Sequence, residues 1–160
     1  MITPDGKFVY FLSGLHQTAW RVAVDGGVET QLWNKIIFEP AFSPDGRLLA
    51  YCVPEGDNLT RIAVVSIEGQ QTLQTFVLNG NYADKLKMVW ASDGHSLIYV
   101  TNRTGLNSLW QQPLDGAAAR VIADLGGDEI DDLAVSADGR TFAFIRGKWI
   151  HDAILIEGLK

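Results

Sequence analysis

Acidic residues recur along this sequence at intervals that would suit either calcium binding or a repeated turn. Asp5, Asp45, Asp93 and Asp138 are 40, 48 and 45 residues apart, and a glycine follows each one. A calcium cage needs several oxygens that converge on one ion. An Asp-Gly pair is also a strong hairpin signal, since the carboxylate can bond nearby amides and the glycine can take a positive φ. Because turns spread along a repeat cannot meet at one ion, we expect a structural role. The predicted structural turn residues are Asp5, Gly6, Asp45, Gly46, Asp93, Gly94, Asp138 and Gly139.

A denser acidic cluster lies in the stretch DLGGDEIDDLAV. It contains Asp128, Glu129, Asp131 and Asp132. Concentrated negative charge attracts basic partners and can also hold a cation. Adjacent carboxylates supply too few converging oxygens for a metal cage, so we predict no metal site. Partner binding and an ordinary solvated loop remain the two alternatives for this cluster.

The sequence lacks the motifs that catalysis or cofactor binding would require. It has no Gly-x-Ser-x-Gly elbow, and His16, His95 and His151 have neither His-x-x-x-His nor His-Glu-x-x-His spacing. The glycine pairs at 26–27 and 126–127 are not followed by the Lys-Ser/Thr of a phosphate-binding loop. We therefore predict that the chain is not an enzyme, with no catalytic residue and no cofactor.

The composition is typical of one folded domain. The 160 residues are 47% hydrophobic, which is enough to bury a core, and the formal net charge is −6. Because nucleic-acid readers present basic patches, we predict no nucleic-acid contact by this segment. No apolar stretch approaches the roughly 18 residues that span a bilayer, so we predict no membrane insertion by it. Cys52 is the only cysteine, which excludes an internal disulfide.

Short strand-like runs recur with the same period as the Asp-Gly turns. KFVYFLS, RLLAYCV, SLIYVTN and TFAFIRG each follow one turn and are rich in β-branched and aromatic residues. Half a period later an acidic residue and a glycine close another such run, at Asp25, Glu68, Asp115 and Glu157. Weaker strand-like runs flank these turns. FEPAF precedes an Asp-Gly turn, and ETQLW follows an acidic-Gly pair half a period later. Four antiparallel strands in a period of about 45 residues form one blade of a β-propeller.

These patterns predict an all-β fold, a partial β-propeller of about four antiparallel four-stranded blades. We expect a single propeller segment, residues 1–160, with approximate blades at 1–34, 35–79, 80–124 and 125–160. The first blade lacks its innermost strand and the last lacks its outermost, so both end blades are incomplete. Their uncovered faces and unpaired edges would expose apolar groups. We therefore predict self-association through the incomplete end blades.

The repeated segments resemble those of the TolB-type bacterial β-propellers, whose repeats are similar to WD repeats. Residues 43–51, SPDGRLLAY, match the Ser-Pro-Asp-Gly turn and the apolar strand of that family. Residues 89–105 match over a longer span, which includes the Trp before the turn and the Asn-Arg-x-Gly after the strand. The resemblance covers nearly the whole chain. In closed propellers of this kind the last blade is completed by a strand from the N-terminus of the chain. The resemblance therefore implies that this chain is the C-terminal half of a larger propeller.

The loops that lead into the innermost strands of a propeller open on its central channel, where partner peptides commonly bind. The acidic cluster occupies one such loop, and LNGNYADKLK occupies the equivalent loop of the preceding blade. We predict a partner-binding patch at the channel mouth. Its residues are Tyr82, Asp84, Lys85, Asp128, Glu129, Asp131 and Asp132.

The family resemblance implies a noncatalytic scaffold that binds a protein or peptide in the bacterial envelope, within the periplasm. One alternative is the C-terminal sensory domain of a membrane-anchored transcriptional regulator of the winged-helix type, or of a kinase. A second is the accessory propeller of a peptidase, because one propeller fold serves many functions. The sequence encoded on either side of this chain would distinguish them, since a winged helix, a kinase and a hydrolase each have recognisable motifs.

Overall fold

The strands predicted from the repeats form the regular structure of the chain. A computed structural model describes residues 1–3, 5–13, 18–54, 59–79, 86–103 and 105–148, and the regular elements among them are β-strands. In these ranges no helix is long and apolar enough to cross a membrane. The strands are β1 (Phe8–Ser13), β2 (Thr18–Ala23), β3 (Thr30–Trp33), β4 (Phe38–Phe42), β5 (Leu48–Pro54), β6 (Leu59–Ser66), β7 (Gln71–Asn79), β8 (Lys87–Trp90), β9 (Ser96–Arg103), β10 (Leu106–Pro113), β11 (Arg120–Gly126), β12 (Glu129–Val135) and β13 (Phe142–Gly147).

The strands pair in chain order into four antiparallel sheets. Sheet I is β1-β2-β3, sheet II is β4-β5-β6-β7, sheet III is β8-β9-β10-β11, and sheet IV contains β12-β13 among the described residues. The first strands of neighbouring sheets meet, because β8 contacts both β4 and β12. This arrangement is that of propeller blades around an axis, and it confirms the predicted all-β, partial-propeller fold.

The incomplete first sheet has a short segment on its inner side. Ile2 forms an isolated antiparallel bridge with Val9 of β1, and the backbone of Met1 exchanges hydrogen bonds of 2.7 and 2.8 Å with that of Tyr10. Residues 1–3 therefore lie where an innermost strand would run. In the last sheet the predicted strand that Glu157 closes lies outside the described residues.

The middle strands are apolar at consecutive positions because they are covered on both faces. Since side chains alternate along a strand, neighbouring residues face opposite sides of the sheet. Leu49 and Tyr51 of β5 pack in the cluster between sheets I and II. Ala50 and Cys52 pack in the cluster between sheets II and III.

Sheet III is covered in the same way. Ile98 and Val100 of β9 join Ile130 and Leu133 of β12 in a third cluster, between sheets III and IV. Among the described residues the core is thus a series of three layers between successive sheets, and it leaves the inner edges of the sheets facing the axis.

Candidate functional site

The Asp-Gly turns have one shared geometry, which is clearest in the second. The amide of Gly46 donates to the Ser43 carbonyl at 2.9 Å, and Gly46 has a φ of 71°. The Ser43 hydroxyl donates to the Asp45 carboxylate at 2.6 Å and accepts from the amide of Leu48 at 2.9 Å. The Asp45 carboxylate also accepts from the amide of Arg47 at 3.1 Å. The aspartate therefore acts inside its own turn.

The third turn has the same backbone bonds but lacks the hydroxyl. The amide of Ala91 donates to the Ser96 carbonyl and that of Gly94 to the Ala91 carbonyl, each at 2.9 Å. The Asp93 carboxylate accepts from the amide of His95 at 2.8 Å. Alanine at position 91 replaces the Thr or Ser of the other turns, so this turn has two fewer side-chain hydrogen bonds.

The hydrogen bonds of the first, second and fourth turns lower the pKa of their aspartates. Hydroxyl donation by Thr3 is the main cause of the lowered pKa of Asp5, and donation by Ser136 has the same effect on the pKa of Asp138. Partial burial acts in the opposite direction at Asp45, but the bonds from Ser43 and the Arg47 amide still lower its pKa. These carboxylates are held ionised by local donors, which is the signature of a capped turn.

An apolar cleft lies between the innermost parts of the sheets. Its volume is about 610 Å³, and it is lined by residues 10–12 of β1, 40–42 of β4, 88–90 of β8 and 133–135 of β12, with Met1 and Pro44. The described lining residues are aliphatic, aromatic, methionine or proline. Within the described chain β4, β8 and β12 each pair with one neighbour, so their inner backbone edges face this cleft. Its size and lining are typical of a pocket for apolar side chains.

Two cross-links hold the strands of the cleft in place. The indole Nε1 of Trp90 donates to the carbonyl of Ala41 at 2.9 Å. Lys87 Nζ lies 3.1 Å from Glu39 Oε1, with about a quarter of each side chain exposed. Glu39 has a φ of 46° within an irregular part of the β4–β5 pairing. Since a non-glycine residue rarely adopts this conformation, the inner strand of sheet II is locally strained beside the cleft.

The acidic cluster surrounds the start of β12. Lys148 Nζ lies 3.3 Å from Asp128 Oδ1 on the surface, and the Asp132 carboxylate accepts from the amide of Leu133 at 2.8 Å. Glu129, Asp131 and Asp132 are exposed. In the part of the chain that the structure describes, no three His, Cys, Asp or Glu side chains are placed to hold a metal ion.

Asn107 of β10 fixes the backbone beside this acidic cluster. Its side chain is 3% exposed, and its amide nitrogen donates to the carbonyls of Gly126, at 3.0 Å, and Asp128. Its amide oxygen accepts from Asn102 Nδ2 at 3.1 Å. The turn into β12 is thus tied to the third sheet rather than free in solution.

The cleft residues were not among the predicted site residues. The sequence predicted a weak strand at FEPAF, but its irregular pattern did not reveal which side chains would face the axis. Three predicted residues of the channel-mouth patch, Tyr82, Asp84 and Lys85, lie outside the described residues. The predicted patch therefore stays a prediction.

Solved structures with the same arrangement of sheets have been determined. The crystal structure of TolB from Acinetobacter baumannii matches with a TM-score of 0.69 at 19% sequence identity, over 89% of this chain and 36% of that one. This chain is a partial β-propeller. A chain of the nidogen/laminin complex matches this propeller with a TM-score of 0.61 at 19% identity, over 88% of this chain and 52% of the other.

Peptidases also contain this propeller fold. A puromycin-hydrolyzing peptidase of Mycobacterium tuberculosis matches with a TM-score of 0.62 at 19% identity, over 92% of this chain and 27% of the peptidase. The sequence matches no protein-family model and no curated protein sequence. The partial propeller thus spans about a third of the TolB chain and about a quarter of the peptidase. At these identities the likeness establishes the fold alone.

Proposed function

We propose that this partial propeller is a noncatalytic scaffold of the bacterial envelope that binds an extended peptide segment in its central cleft. The observation that carries the proposal is the cleft of about 610 Å³, whose described lining is apolar. A cleft of this size accommodates a few side chains, and the facing strand edges offer backbone hydrogen-bonding groups. The periplasmic location rests on the likeness to TolB.

The acidic side chains would add charge selectivity to this binding. Glu129 begins β12, whereas Leu133 to Val135 at the other end of the same strand line the cleft. A segment lying along β12 would pass the exposed carboxylates of Glu129 and Asp131. We therefore expect the preferred peptide to place apolar residues in the cleft and basic residues beside these carboxylates.

Peptide selection against the purified chain tests this proposal. A random peptide display library would be enriched on the wild-type protein, and the affinity of the selected peptides would be compared on variants. Ala134→Arg places a charged, long side chain in the cleft at an exposed position and should weaken binding about tenfold or more. The matched control is Ala118→Arg in an exposed loop. Equal binding to both variants would contradict the cleft as the site.

Charge selectivity has its own test. The double variant Glu129→Gln, Asp131→Asn should weaken the binding of basic peptides and reduce the salt dependence of that binding, because it removes two exposed charges. Glu68→Gln removes one exposed charge from a distant turn and serves as the control. An unchanged salt dependence in the double variant would rule out the acidic cluster as part of the binding surface.

The propeller-containing peptidases support a second candidate, an accessory propeller of a larger enzyme. Immunoblotting of native cells with an antibody to this chain would measure the size of the intact polypeptide. If a fluorophosphonate probe labels a band of the same size as the immunoblot band, the peptidase is favoured. An unlabelled band released by osmotic shock favours the envelope scaffold.

The end sheets support self-association as part of the same proposal. Val9 and Phe11 of β1 alternate with the residues that pack on sheet II, so they face away from the core, as does Ile145 of β13 at the other end. These apolar faces would be covered by a second copy or by further blades. Val9→Asp, which lies outside the cleft lining, should then weaken self-association through this face in sedimentation, and an unchanged sedimentation profile would contradict contact through sheet I.

A further inference from the structure

The outer strand of sheet II lacks the features that protect the outer strands of sheets I and III from pairing. β7 spans nine residues, QTLQTFVLN, and none of them is charged. β11 of sheet III carries Arg120 and Asp124 and has two register shifts, and β3 of sheet I is four residues long. Charges, irregularity and shortness are the devices by which proteins protect an exposed strand edge from pairing. Apart from one register shift near its start, β7 has none of them.

The free edge of β7 is long, and it is regular from residue 74 to residue 79, with Leu73 at the register shift. Within the described chain β7 pairs only with β6, and residues 74–79 match residues 59–64 one to one. Leu73 and Val77 are each 54% exposed, which is high for large apolar side chains in a strand. Exposed apolar side chains beside unpaired backbone groups are typical of a surface that adds another strand.

The sequence of β7 suits a second copy of itself. In an antiparallel pair related by a two-fold axis at Thr75, Thr75 faces Thr75 and Leu73 faces Val77 twice. Thr–Thr and aliphatic pairs at directly opposite positions are favourable in antiparallel sheets. The absence of charge also matters, because two copies of a chain with net charge −6 can approach here without placing like charges opposite each other.

We propose that two copies of this chain dimerise by antiparallel pairing of β7 with β7 about an axis at Thr75, joining two four-stranded sheets into one of eight. This contact is isologous, so it closes at two copies, and it lies on the outer rim, away from the central cleft and the end faces. It is independent of the peptide-binding proposal.

Sedimentation equilibrium of designed charge variants tests this pairing. The wild-type chain should show a concentration-dependent dimer. Leu73→Lys with Val77→Lys places lysine opposite lysine and should raise the dimer dissociation constant about tenfold or more. Leu73→Glu with Val77→Lys places opposite charges together at both positions and should restore the dimer. Val121→Lys, at a 46% exposed position of β11, is the control and should behave as wild type.

Circular dichroism melts of each variant confirm that the monomer remains folded, which is expected because both positions are half exposed. A wild-type chain that stays monomeric at about 100 µM would overturn the proposal, since a weaker dimer has no role at cellular concentrations. A dimer that survives the double lysine variant combined with Val9→Asp, which removes contact through the face of sheet I, would also overturn it. Failure of the glutamate–lysine variant to restore the dimer would overturn the pairing about Thr75.

Discussion

Replacing Ser43 with alanine removes two hydrogen bonds from the second Asp-Gly turn without disturbing its backbone. The Ser43 hydroxyl, in a residue only 1% exposed, donates to Asp45 at 2.6 Å and accepts from the amide of Leu48 at 2.9 Å. Water can replace the donor to the exposed Asp45, but the amide of the half-buried Leu48 loses its acceptor. Since an unsatisfied buried donor costs about 1–3 kcal/mol, we expect Ser43→Ala to lower the free energy of unfolding by about 2 kcal/mol.

The third turn supplies the reciprocal experiment. Ala91 already has the backbone bonds of the turn, and the amide of Ser96 corresponds to that of Leu48. Ala91→Ser should introduce the missing hydroxyl bonds to Asp93 and Ser96. A net intramolecular hydrogen bond contributes about 1 kcal/mol, so we expect a gain of about 0.5–1.5 kcal/mol in the free energy of unfolding.

Urea unfolding followed by circular dichroism measures both changes, and an unchanged m value would show that the unfolded states are comparable. The two substitutions exchange the same pair of residue types in opposite directions, so each is the control for the other. A loss below about 0.5 kcal/mol for Ser43→Ala would refute the assignment of these bonds as stabilising. Destabilisation by Ala91→Ser would refute the equivalence of the turns.

Three further predictions follow from the turns and the core. The aspartates of three turns have pKa values below 3.8 in the folded protein, so they stabilise it above that pH. This stabilisation is lost as the pH falls through the lowered pKa values of the folded state. The urea midpoint should therefore decrease between about pH 5 and pH 2, and it should decrease less steeply in Ser43→Ala. Gly46→Val should cost about 1–2 kcal/mol in urea unfolding because of its φ of 71°, and a smaller loss would contradict the left-handed conformation. Burial, with a smaller contribution from Glu39, raises the pKa of the Cys52 thiol to about 12, so a disulfide reagent at about pH 8 should label it only in unfolded protein, and rapid labelling of folded protein would contradict its burial.

The sequence predicted the fold well because the fold depends on local signals that repeat. Each Asp-Gly pair marks a hairpin through backbone conformation, and each apolar run forms a strand covered on both faces. The Asp-Gly pairs and the apolar runs both involve neighbouring residues in the chain, so they can be recognised without the tertiary structure. Ser43 and Ala91 each stand two residues before the aspartate of their turn, so their equivalence also follows from the sequence.

The candidate cleft could not be predicted in the same way. Pro40 and Val89 line the same cleft because β4 and β8 begin neighbouring sheets, and β4 is irregular where Glu39 has a positive φ. The acidic cluster, by contrast, stood out through its composition. Its position at the start of β12 followed from the repeat, but the bonds that Asn107 makes to the neighbouring backbone involve a residue about twenty positions away.

Chemical-shift mapping with a selected peptide is the most direct test of peptide binding in the cleft. Amide signals of the ¹⁵N-labelled chain would be followed during titration with a peptide enriched on the wild-type protein. The largest changes should occur at Ala41, Val89 and Ala134, which lie on β4, β8 and β12 in the lining of the cleft. Changes confined to the outer strands β7 and β11, with these three amides unmoved, would contradict it.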